Sequence, residues 1–254
     1  MRKLIGLKQL LDPAIIGTTG ILKSIKAFAP SVKRVVITSS FAAIINPFKG
    51  LNPGHTYSEA DWNPLTLEDA LKDSSAGYRA SKTFAEKAAW DFVKNESPNF
   101  DVATVNPPLV FGPIVHYLNS LSALNTSNER VRDAIQGKWK DGVAPSGVYL
   151  WVDVRDVAAA HVEAAERPEA GGKRFFTTAG YFSNSEVNKI LRDNFPEYKD
   201  VLPEPGSELT KAGDKPAELY SYDNNRTIDV LGIKYISLEQ SVKDLVKSLQ
   251  AVGI

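Results

Sequence analysis

The sequence has no cysteine and only three histidines in 254 residues, which restricts the chemistry that its side chains can perform. Without cysteine there can be no disulfide bond and no thiolate metal site. His55, His116 and His161 are scattered along the chain, and a solvated or packed histidine is the commoner state of each. The sequence therefore predicts no metal site. Because residues 1–6 also carry too short an apolar run for a signal peptide, we expect a cytoplasmic protein.

The sequence also lacks an excess of either charge, since 30 basic side chains balance 30 acidic ones. This balance gives no electrostatic reason to bind nucleic acid or an anionic membrane. No stretch approaches the roughly 20 apolar residues of a membrane-spanning helix. With 43% hydrophobic residues, the composition is typical of a soluble globular protein with a sizeable core. Small-molecule substrates remain open as partners, and the sequence leaves monomer and homodimer undecided.

Helical and strand patterns alternate in the first part of the chain. Asp12 and Pro13 resemble an N-cap followed by proline at the first helical position, and apolar residues at helical spacing follow them. Residues 32–38, rich in β-branched side chains, predict a strand, and residues 100–105 predict another. A helical pattern over residues 74–92 lies between them. This order predicts a βαβ unit with parallel strands, whose carboxyl ends open onto one crevice.

Tyr78 and Lys82 lie one helical turn apart in the 74–92 pattern, so both side chains project from the same face. A nearby ammonium favours the phenolate electrostatically and makes the phenol a usable general acid. The same spacing also occurs in ordinary amphipathic helices, where tyrosine packs and lysine extends its charge to solvent. The pair therefore needs support from other parts of the chain.

Other motifs supply that support. They are Thr38-Ser39-Ser40, Tyr78-Arg79-Ala80-Ser81-Lys82, residues 106–113 and residues 152–158. In order and spacing they resemble the extended short-chain dehydrogenase/reductases of the NAD-dependent epimerase/dehydratase superfamily. The chain is most similar to the fungal ketoreductase and aldehyde-reductase group, which includes methylglyoxal reductases and is related to plant dihydroflavonol and cinnamoyl-CoA reductases. The resemblance extends from about Leu11 to the C-terminus. It implies an NAD(P)-dependent oxidoreductase that reduces aldehydes and ketones to alcohols, with NADP(H) favoured over NAD(H).

The resemblance also implies roles for individual residues. Tyr78 would protonate the carbonyl oxygen while the nicotinamide delivers hydride, and Lys82 would tune Tyr78 and hold the nicotinamide ribose. Ser40 would hydrogen-bond the substrate oxygen and stabilise its developing charge. A hydroxyl that only caps the strand end is the alternative for Ser40 and the favoured interpretation of Ser39. Backbone contacts with the nicotinamide amide would come from Pro107, Pro108, Leu109 and Val110.

Several other polar and aromatic residues have two interpretations. Arg155 and Asp156 are expected to tie two lobes together through ion pairs rather than to act in catalysis. The segment 125–128 either belongs to a cofactor clamp or caps a helix. Four aromatic residues either line a substrate pocket or, as the safer default, pack in a core. They are Phe41, Trp139, Tyr149 and Trp151.

The family pattern places a Gly-rich phosphate-binding turn upstream of the serine strand, and no such turn occurs before Asp12. We therefore expect an α/β fold, N-terminally truncated relative to the family: a Rossmann-like parallel sheet lacking its first strands, with a smaller C-terminal substrate lobe. Residues 1–112, joined by 150–180, would form the second half of the dinucleotide-binding domain. Residues 113–149 and 181–254 would form the substrate-binding lobe.

The missing turn keeps a second function open, that of a non-catalytic remnant or scaffold unable to bind the cofactor. A nucleotide-sugar epimerase or dehydratase is less favoured. Residues 41–44, Phe-Ala-Ala-Ile, offer neither the acidic pair nor the Tyr-Gly that such enzymes carry near the serine. The sequence does not indicate which aldehyde or ketone is the substrate.

Overall fold

The computed structural model describes residues 2–72, 76–118 and 123–253, in which helices and strands alternate. The helices are α1 (Arg2–Phe28), α2 (Leu67–Lys72), α3 (Gly77–Glu96), α4 (Thr126–Ile135), α5 (Val154–Glu166), α6 (Asn184–Asn194), α7 (Glu208–Lys211), α8 (Asn225–Leu231) and α9 (Leu238–Ala251). The strands are β1 (Arg34–Thr38), β2 (Thr56–Tyr57), β3 (Asp101–Val105), β4 (Leu109–Phe111), β5 (Leu150–Asp153), β6 (Arg174–Phe175), β7 (Gly180–Tyr181) and β8 (Ser221–Tyr222). The predicted α/β class is confirmed. None of the helices in these ranges is both long and apolar enough to cross a membrane.

The chain divides into two compact units, each built from several segments. The first unit contains Met1–Pro107, Ala159–Thr177 and Glu218–Ile233, and the second contains Pro108–Ala158, Thr178–Ala217 and Lys234–Ile254. These bounds differ from the predicted lobes at residues 108–112, 150–158 and 178–180, which lie in the second unit, and at residues 218–233, which lie in the first. The strand β5 lies in the second unit, because it pairs with β4 and β7. The segment Glu218–Ile233 lies in the first unit, because its strand β8 pairs with β2.

The first unit is organised around a parallel sheet with the strand order β1-β3-β6. The register pairs Arg34 with Asp101 and Thr38 with Val105, as the predicted βαβ unit requires. The strand β1 lies at one edge of this sheet and is only half-buried, whereas β3 is almost fully buried. Side chains of α1 and α3, including Leu22 and Phe92, pack beside the sheet.

The first helix begins earlier than the sequence pattern predicts. Asp12 and Pro13 lie inside α1 rather than at its start, since the helix runs from Arg2 to Phe28. A proline inside a helix removes one hydrogen bond and crowds the preceding turn. The residue just before this pair, Leu11, is buried against Ala70 and Ala80. Packing of Leu11 therefore stabilises a helical turn that local propensity alone would end.

The second unit has a mixed sheet with the order β4-β5-β7, in which β4 and β5 are parallel and β7 is antiparallel. Its core consists of apolar side chains from this sheet and from α4, α6 and α9. Trp139 and Trp151 belong to this core, and Tyr149 is also buried. In the first unit, Phe41 stacks on Phe176 with ring centroids 5.0 Å apart. Core packing therefore accounts for all four aromatic residues that the sequence analysis considered for a pocket.

Candidate active site

The helix α3 carries Tyr78 in its first turn and Lys82 in the second. The predicted start of this helix, Ser74, lies outside the described residues, and the helix itself runs from Gly77 to Glu96. The Tyr78 side chain is 56% exposed, so its hydroxyl can meet a ligand from solvent. Lys82 is half-buried. The structure therefore presents a phenol and a partly desolvated ammonium one turn apart on the same helix.

The Lys82 ammonium contacts the end of β1. Its Nζ donates a hydrogen bond of 3.4 Å to the carbonyl oxygen of Thr38, the last residue of that strand. Burial lowers the pKa of Lys82, and the negative charge of Glu86, one turn further along α3, opposes this shift. An ammonium has more N–H donors than this single bond uses, so Lys82 retains donors for ribose hydroxyls.

Ser40 lies two residues beyond the end of β1 and is the N-cap of a short 3₁₀ turn, Phe41–Ala43. Its Oγ accepts a hydrogen bond of 3.1 Å from the backbone N–H of Ala42. The predicted capping role is therefore present. Because a hydroxyl can accept one hydrogen bond and donate another, capping leaves the Ser40 proton available for a substrate oxygen.

Ser39 has a different environment from its neighbour. Its hydroxyl donates a hydrogen bond to the buried carboxylate of Glu86, and its backbone N–H donates to the carbonyl of Val105 at 2.8 Å. Both bonds lead into the interior of the first unit. The structural interpretation of Ser39 is supported, and Ser40 is the serine whose proton stays available.

The segment after β3 also binds the turn that carries Ser40, through hydrogen bonds to the backbone of Ser40 and Phe41. The backbone N–H of Phe41 donates to the carbonyl of Pro107 at 2.9 Å, and the Nδ2 of Asn106 lies 3.4 Å from the carbonyl oxygen of Ser40. The carboxyl ends of β1 and β3 thus bring Ser40 and Pro107 together, as the predicted βαβ unit requires. The other residues of the predicted nicotinamide segment, Pro108, Leu109 and Val110, belong to the second unit.

In the second unit, side chains from the start of α4 bind the backbone of Val110. The N–H of Val110 donates to the Oγ of Ser127 at 3.2 Å, and the Nδ2 of Asn125 donates to the carbonyl of Val110, also at 3.2 Å. Asn125 occupies the N-cap position of α4, but its side chain makes no capping hydrogen bond. The N-cap interpretation of Asn125 is therefore wrong for its side chain, because the amide binds the free edge of β4 instead.

Arg155 and Asp156 make their described contacts within the second unit. Arg155 pairs with Asp153 and with Asp244, at 2.8 Å in both cases. A carboxylate oxygen of Asp156 accepts the backbone N–H of Ile236 at 3.0 Å. The Arg155–Asp244 pair therefore joins two segments that the sequence analysis assigned to different lobes, whereas Asp156 binds a backbone N–H instead of forming the expected ion pair. In the structure these partners, at the end of β5, in α9 and in the segment before α9, all lie within one compact unit.

His55 and His161 take part in hydrogen bonds with other side chains. His55 contacts Asp61 through Nε2 and Oδ1 at 2.9 Å, and His161 contacts the Thr38 hydroxyl at 2.7 Å. Across the parts of the chain that the structure describes, no three histidine or acidic side chains converge to form a metal site.

A tyrosine and a lysine one turn apart, near a parallel strand that leads into a serine, form the arrangement for which the sequence resembles the short-chain dehydrogenase/reductases. The chain belongs to the NAD dependent epimerase/dehydratase family, whose model matches residues 7–177. The predicted family is therefore confirmed.

Individual relatives agree with this assignment. The ketoreductase azaE of Aspergillus niger is 50% identical over 242 residues, which cover 94% of this chain and 69% of that protein. The NADPH-dependent methylglyoxal reductase GRE2 of Saccharomyces cerevisiae is 38% identical over 242 residues, covering 93% of this chain and 69% of that protein. The crystal structure of yeast methylglyoxal/isovaleraldehyde reductase Gre2 complexed with NADPH has a TM-score of 0.83 and 35% identity, covering 98% of this chain and 73% of that one. The predicted oxidoreductase class is confirmed, and NADPH, the predicted cofactor, is the one named for the yeast reductase Gre2.

Sequence reasoning missed Glu86, which is buried beneath the site. A signal was present, because Tyr78, Lys82 and Glu86 follow one another at intervals of one helical turn. A carboxylate on the same face as Lys82 was therefore foreseeable, although its partners on other elements were not.

Proposed function

We propose that this protein uses NADPH to reduce small aldehydes or ketones to alcohols. The relatives named as ketoreductase and as NADPH-dependent methylglyoxal reductase support the reaction and the cofactor. The observation that carries the proposal is the 3.4 Å contact between Lys82 Nζ and the carbonyl of Thr38. Through this contact the helix that bears Tyr78 lies against the strand end that leads into Ser40.

Each of these side chains takes part in the proposed reaction. NADPH, when bound, supplies the hydride for the carbonyl carbon. The Tyr78 hydroxyl donates its proton to the carbonyl oxygen, so that hydride and proton together yield the alcohol. The Lys82 ammonium stabilises the phenolate left on Tyr78, and the Ser40 hydroxyl donates a hydrogen bond to the oxygen on which negative charge develops.

Cofactor binding in this proposal uses Tyr78, Lys82 and the segment from Pro107 to Val110. Lys82 has N–H donors left for ribose hydroxyls beyond its bond to Thr38. The backbone of Pro107, Pro108, Leu109 and Val110 would contact the nicotinamide amide.

The test follows NADPH consumption by the purified chain with a panel of small aldehydes and ketones that includes methylglyoxal. NADPH binding is measured in parallel through tryptophan fluorescence. Tyr78→Phe should lower carbonyl reduction by about a hundredfold or more, the usual effect of losing a general acid, while NADPH binding persists. Tyr117→Phe is the matched control, because Tyr117 is 87% exposed and has no task in the proposal. Its rate should equal that of the wild type.

Either of two results would contradict the proposal. Wild-type turnover in Tyr78→Phe would show that another group donates the proton. A wild-type chain that neither binds NADPH nor consumes it with any carbonyl compound would instead support the non-catalytic scaffold.

A further inference from the structure

A buried carboxylate lies directly behind the proposed catalytic residues. Glu86 is on α3, one turn beyond Lys82, and only 2% of its surface is exposed. A buried charge of this kind is retained only when charged and polar partners surround it. The proposed reaction assigns no chemical step to Glu86, so its environment needs another explanation.

The partners of the Glu86 carboxylate come from several elements of the first unit. Oε1 accepts hydrogen bonds from Arg174 Nε at 2.6 Å, from the Thr104 hydroxyl at 3.0 Å and from Trp90 Nε1 at 3.3 Å. Oε2 accepts one from Asn106 Nδ2 at 2.8 Å and one from the Ser39 hydroxyl. The helix α3, the strands β3 and β6 and the end of β1 are therefore joined at a single side chain.

Arg174 supplies the balancing charge and is itself held in place. It is buried on β6, its guanidinium lies 3.8 Å from the centre of the Trp62 ring, and its Nη1 donates to the carbonyls of Glu59 and Asp61 at 2.6 Å each. A buried ion pair adds little net stability, because desolvation offsets most of the attraction. Its directional hydrogen bonds can still fix the positions of the groups that they join.

Two of the groups that bind Glu86 also border Ser40, one through the peptide chain and one through the Ser40 backbone carbonyl. Ser39 precedes Ser40 and donates its hydroxyl proton to Glu86. The Asn106 amide donates to Glu86 and also lies 3.4 Å from the Ser40 carbonyl oxygen. Small displacements of a catalytic group can lower the rate by large factors, so these bonds bear directly on the position of Ser40.

Glu86 also acts on Lys82. The two side chains are one turn apart on α3, and the carboxylate counters the effect of burial on the pKa of Lys82. A single acidic side chain thus influences the serine turn through hydrogen bonds and the lysine through its charge.

We propose that Glu86 is a positioning residue for the reductase reaction: through Ser39 and Asn106 it fixes the turn that carries Ser40 relative to the helix that carries Tyr78 and Lys82. This inference rests on the proposed function. It concerns placement of the catalytic groups, because Glu86 itself is buried beneath them.

The test compares Glu86→Gln and Ser39→Ala with the wild type. Peptide-level hydrogen exchange over residues 38–45 reports the order of the serine turn, and NADPH-dependent carbonyl reduction reports kcat and the KM for NADPH. In both variants, exchange over 38–45 should accelerate several-fold and kcat should fall about tenfold or more, with a smaller change in KM. In the double variant the fall in kcat should be smaller than the product of the two single falls, because both substitutions weaken the same contact between Glu86 and Ser39.

Ser183→Ala provides the matched control. Ser183 is as buried as Ser39, and its Oγ caps α6 in the second unit by accepting the N–H of Glu186 at 3.1 Å. The substitution removes one buried hydrogen bond, so urea unfolding should show a loss of stability similar to that of Ser39→Ala. Hydrogen exchange over residues 38–45 and kcat should stay at wild-type values. If Glu86→Gln does not fold, the inference is tested by comparing Ser39→Ala with Ser183→Ala alone.

Two results would overturn the inference. The first is wild-type exchange over 38–45 and wild-type kcat in Ser39→Ala. The second is an equal fall of kcat in Ser183→Ala at the same loss of stability. If the wild type reduces no carbonyl compound, the proposed function fails, while the exchange data still show whether Glu86 orders the Ser40 turn.

Discussion

Lys82 Nζ lies 3.4 Å from the backbone carbonyl oxygen of Thr38, two residues before Ser40. The contact joins the second turn of α3 to the carboxyl end of β1. A lysine with this placement can act on the phenol of Tyr78, one turn before it on the same helix, and on a ligand that lies beyond the strand end. The two actions depend on the same charge.

Lys82→Met should therefore raise the KM for NADPH and lower kcat together, because both the ribose contact and the stabilisation of the phenolate are lost. We expect each parameter to change by about tenfold, which is the effect of losing one charged hydrogen bond. Steady-state kinetics with varied NADPH measures both parameters. Lys94→Met, in the last turn of α3, should change neither. Unchanged kinetics in Lys82→Met would make Lys82 an ordinary packed lysine.

Ser127→Ala should weaken NADPH binding without slowing the chemical step. The substitution removes the acceptor of the Val110 N–H, which lies at 3.2 Å and helps to order the segment proposed to contact the nicotinamide. The KM for NADPH should rise about three- to tenfold, the effect of one neutral hydrogen bond, while kcat stays within about twofold. Ser237→Ala, which removes the N-cap of α9, is the control and should leave the KM unchanged. A fall in kcat with constant KM in Ser127→Ala would contradict the assignment.

Local patterns were sufficient to predict the elements that carry the site. The helix with Tyr78 and Lys82 has a regular apolar spacing, and β1 and β3 consist of β-branched and other apolar residues between clear breaks, so each could be located within a few residues. The pairing of β1 with β3 then followed from the general geometry of βαβ units. These features depend on short stretches of sequence, so they can be predicted from one sequence alone.

The remaining features depend on contacts between distant residues. Arg174 and Glu86 are 88 positions apart, and nothing near either residue indicates that they pair. The burial of Leu11 against Ala70 and Ala80 continues α1 through Pro13, although the local signal predicts a helix start there. In each case tertiary packing outweighs local propensity, which is a weak determinant by itself.

Gly112→Ala should destabilise the second unit by about 2–4 kcal/mol, since it combines backbone strain with a close contact. Gly112 has φ of +127°, and an added Cβ would lie 2.9 Å from Val154 Cγ1 and 3.0 Å from Asp153 Oδ2. Gly147→Ala is the matched control, because Gly147 has φ of +74° with no neighbouring atom within 4 Å of the added Cβ. Urea unfolding of the two variants separates the contact from the strain. Equal losses would show that the crowding of Gly112 has no energetic consequence.

Two carboxyl groups at the junction of β5 and α5 shift in opposite directions. Burial alone would raise the pKa of Asp153, but hydrogen bonds from the Arg155 side chain and backbone outweigh it, so the pKa is lowered. Burial raises the pKa of Asp156, and the bond from the Ile236 N–H only partly offsets that effect. Asp153 therefore contributes stability above the unfolded pKa of about 4, and this contribution is lost as the pH falls through its lower folded value. Asp156 contributes stability below about pH 4, and this is lost as the pH rises through its higher folded value.

Asp153→Asn should consequently lower the free energy of unfolding at neutral pH by about 2–3 kcal/mol, because Arg155 loses its charged hydrogen-bond partner. The loss should shrink on acidification, since the wild type itself loses the Asp153 contribution as that group is protonated. Asp156→Asn should have the opposite effect and leave stability at neutral pH unchanged or slightly raised, because a neutral amide can still accept the Ile236 N–H. Urea unfolding at neutral pH and at a pH below about 4 measures these changes, with the exposed Asp141→Asn as the control. A loss in Asp153→Asn that is the same at both pH values would show that the Arg155 pair does not stabilise the charged form of Asp153.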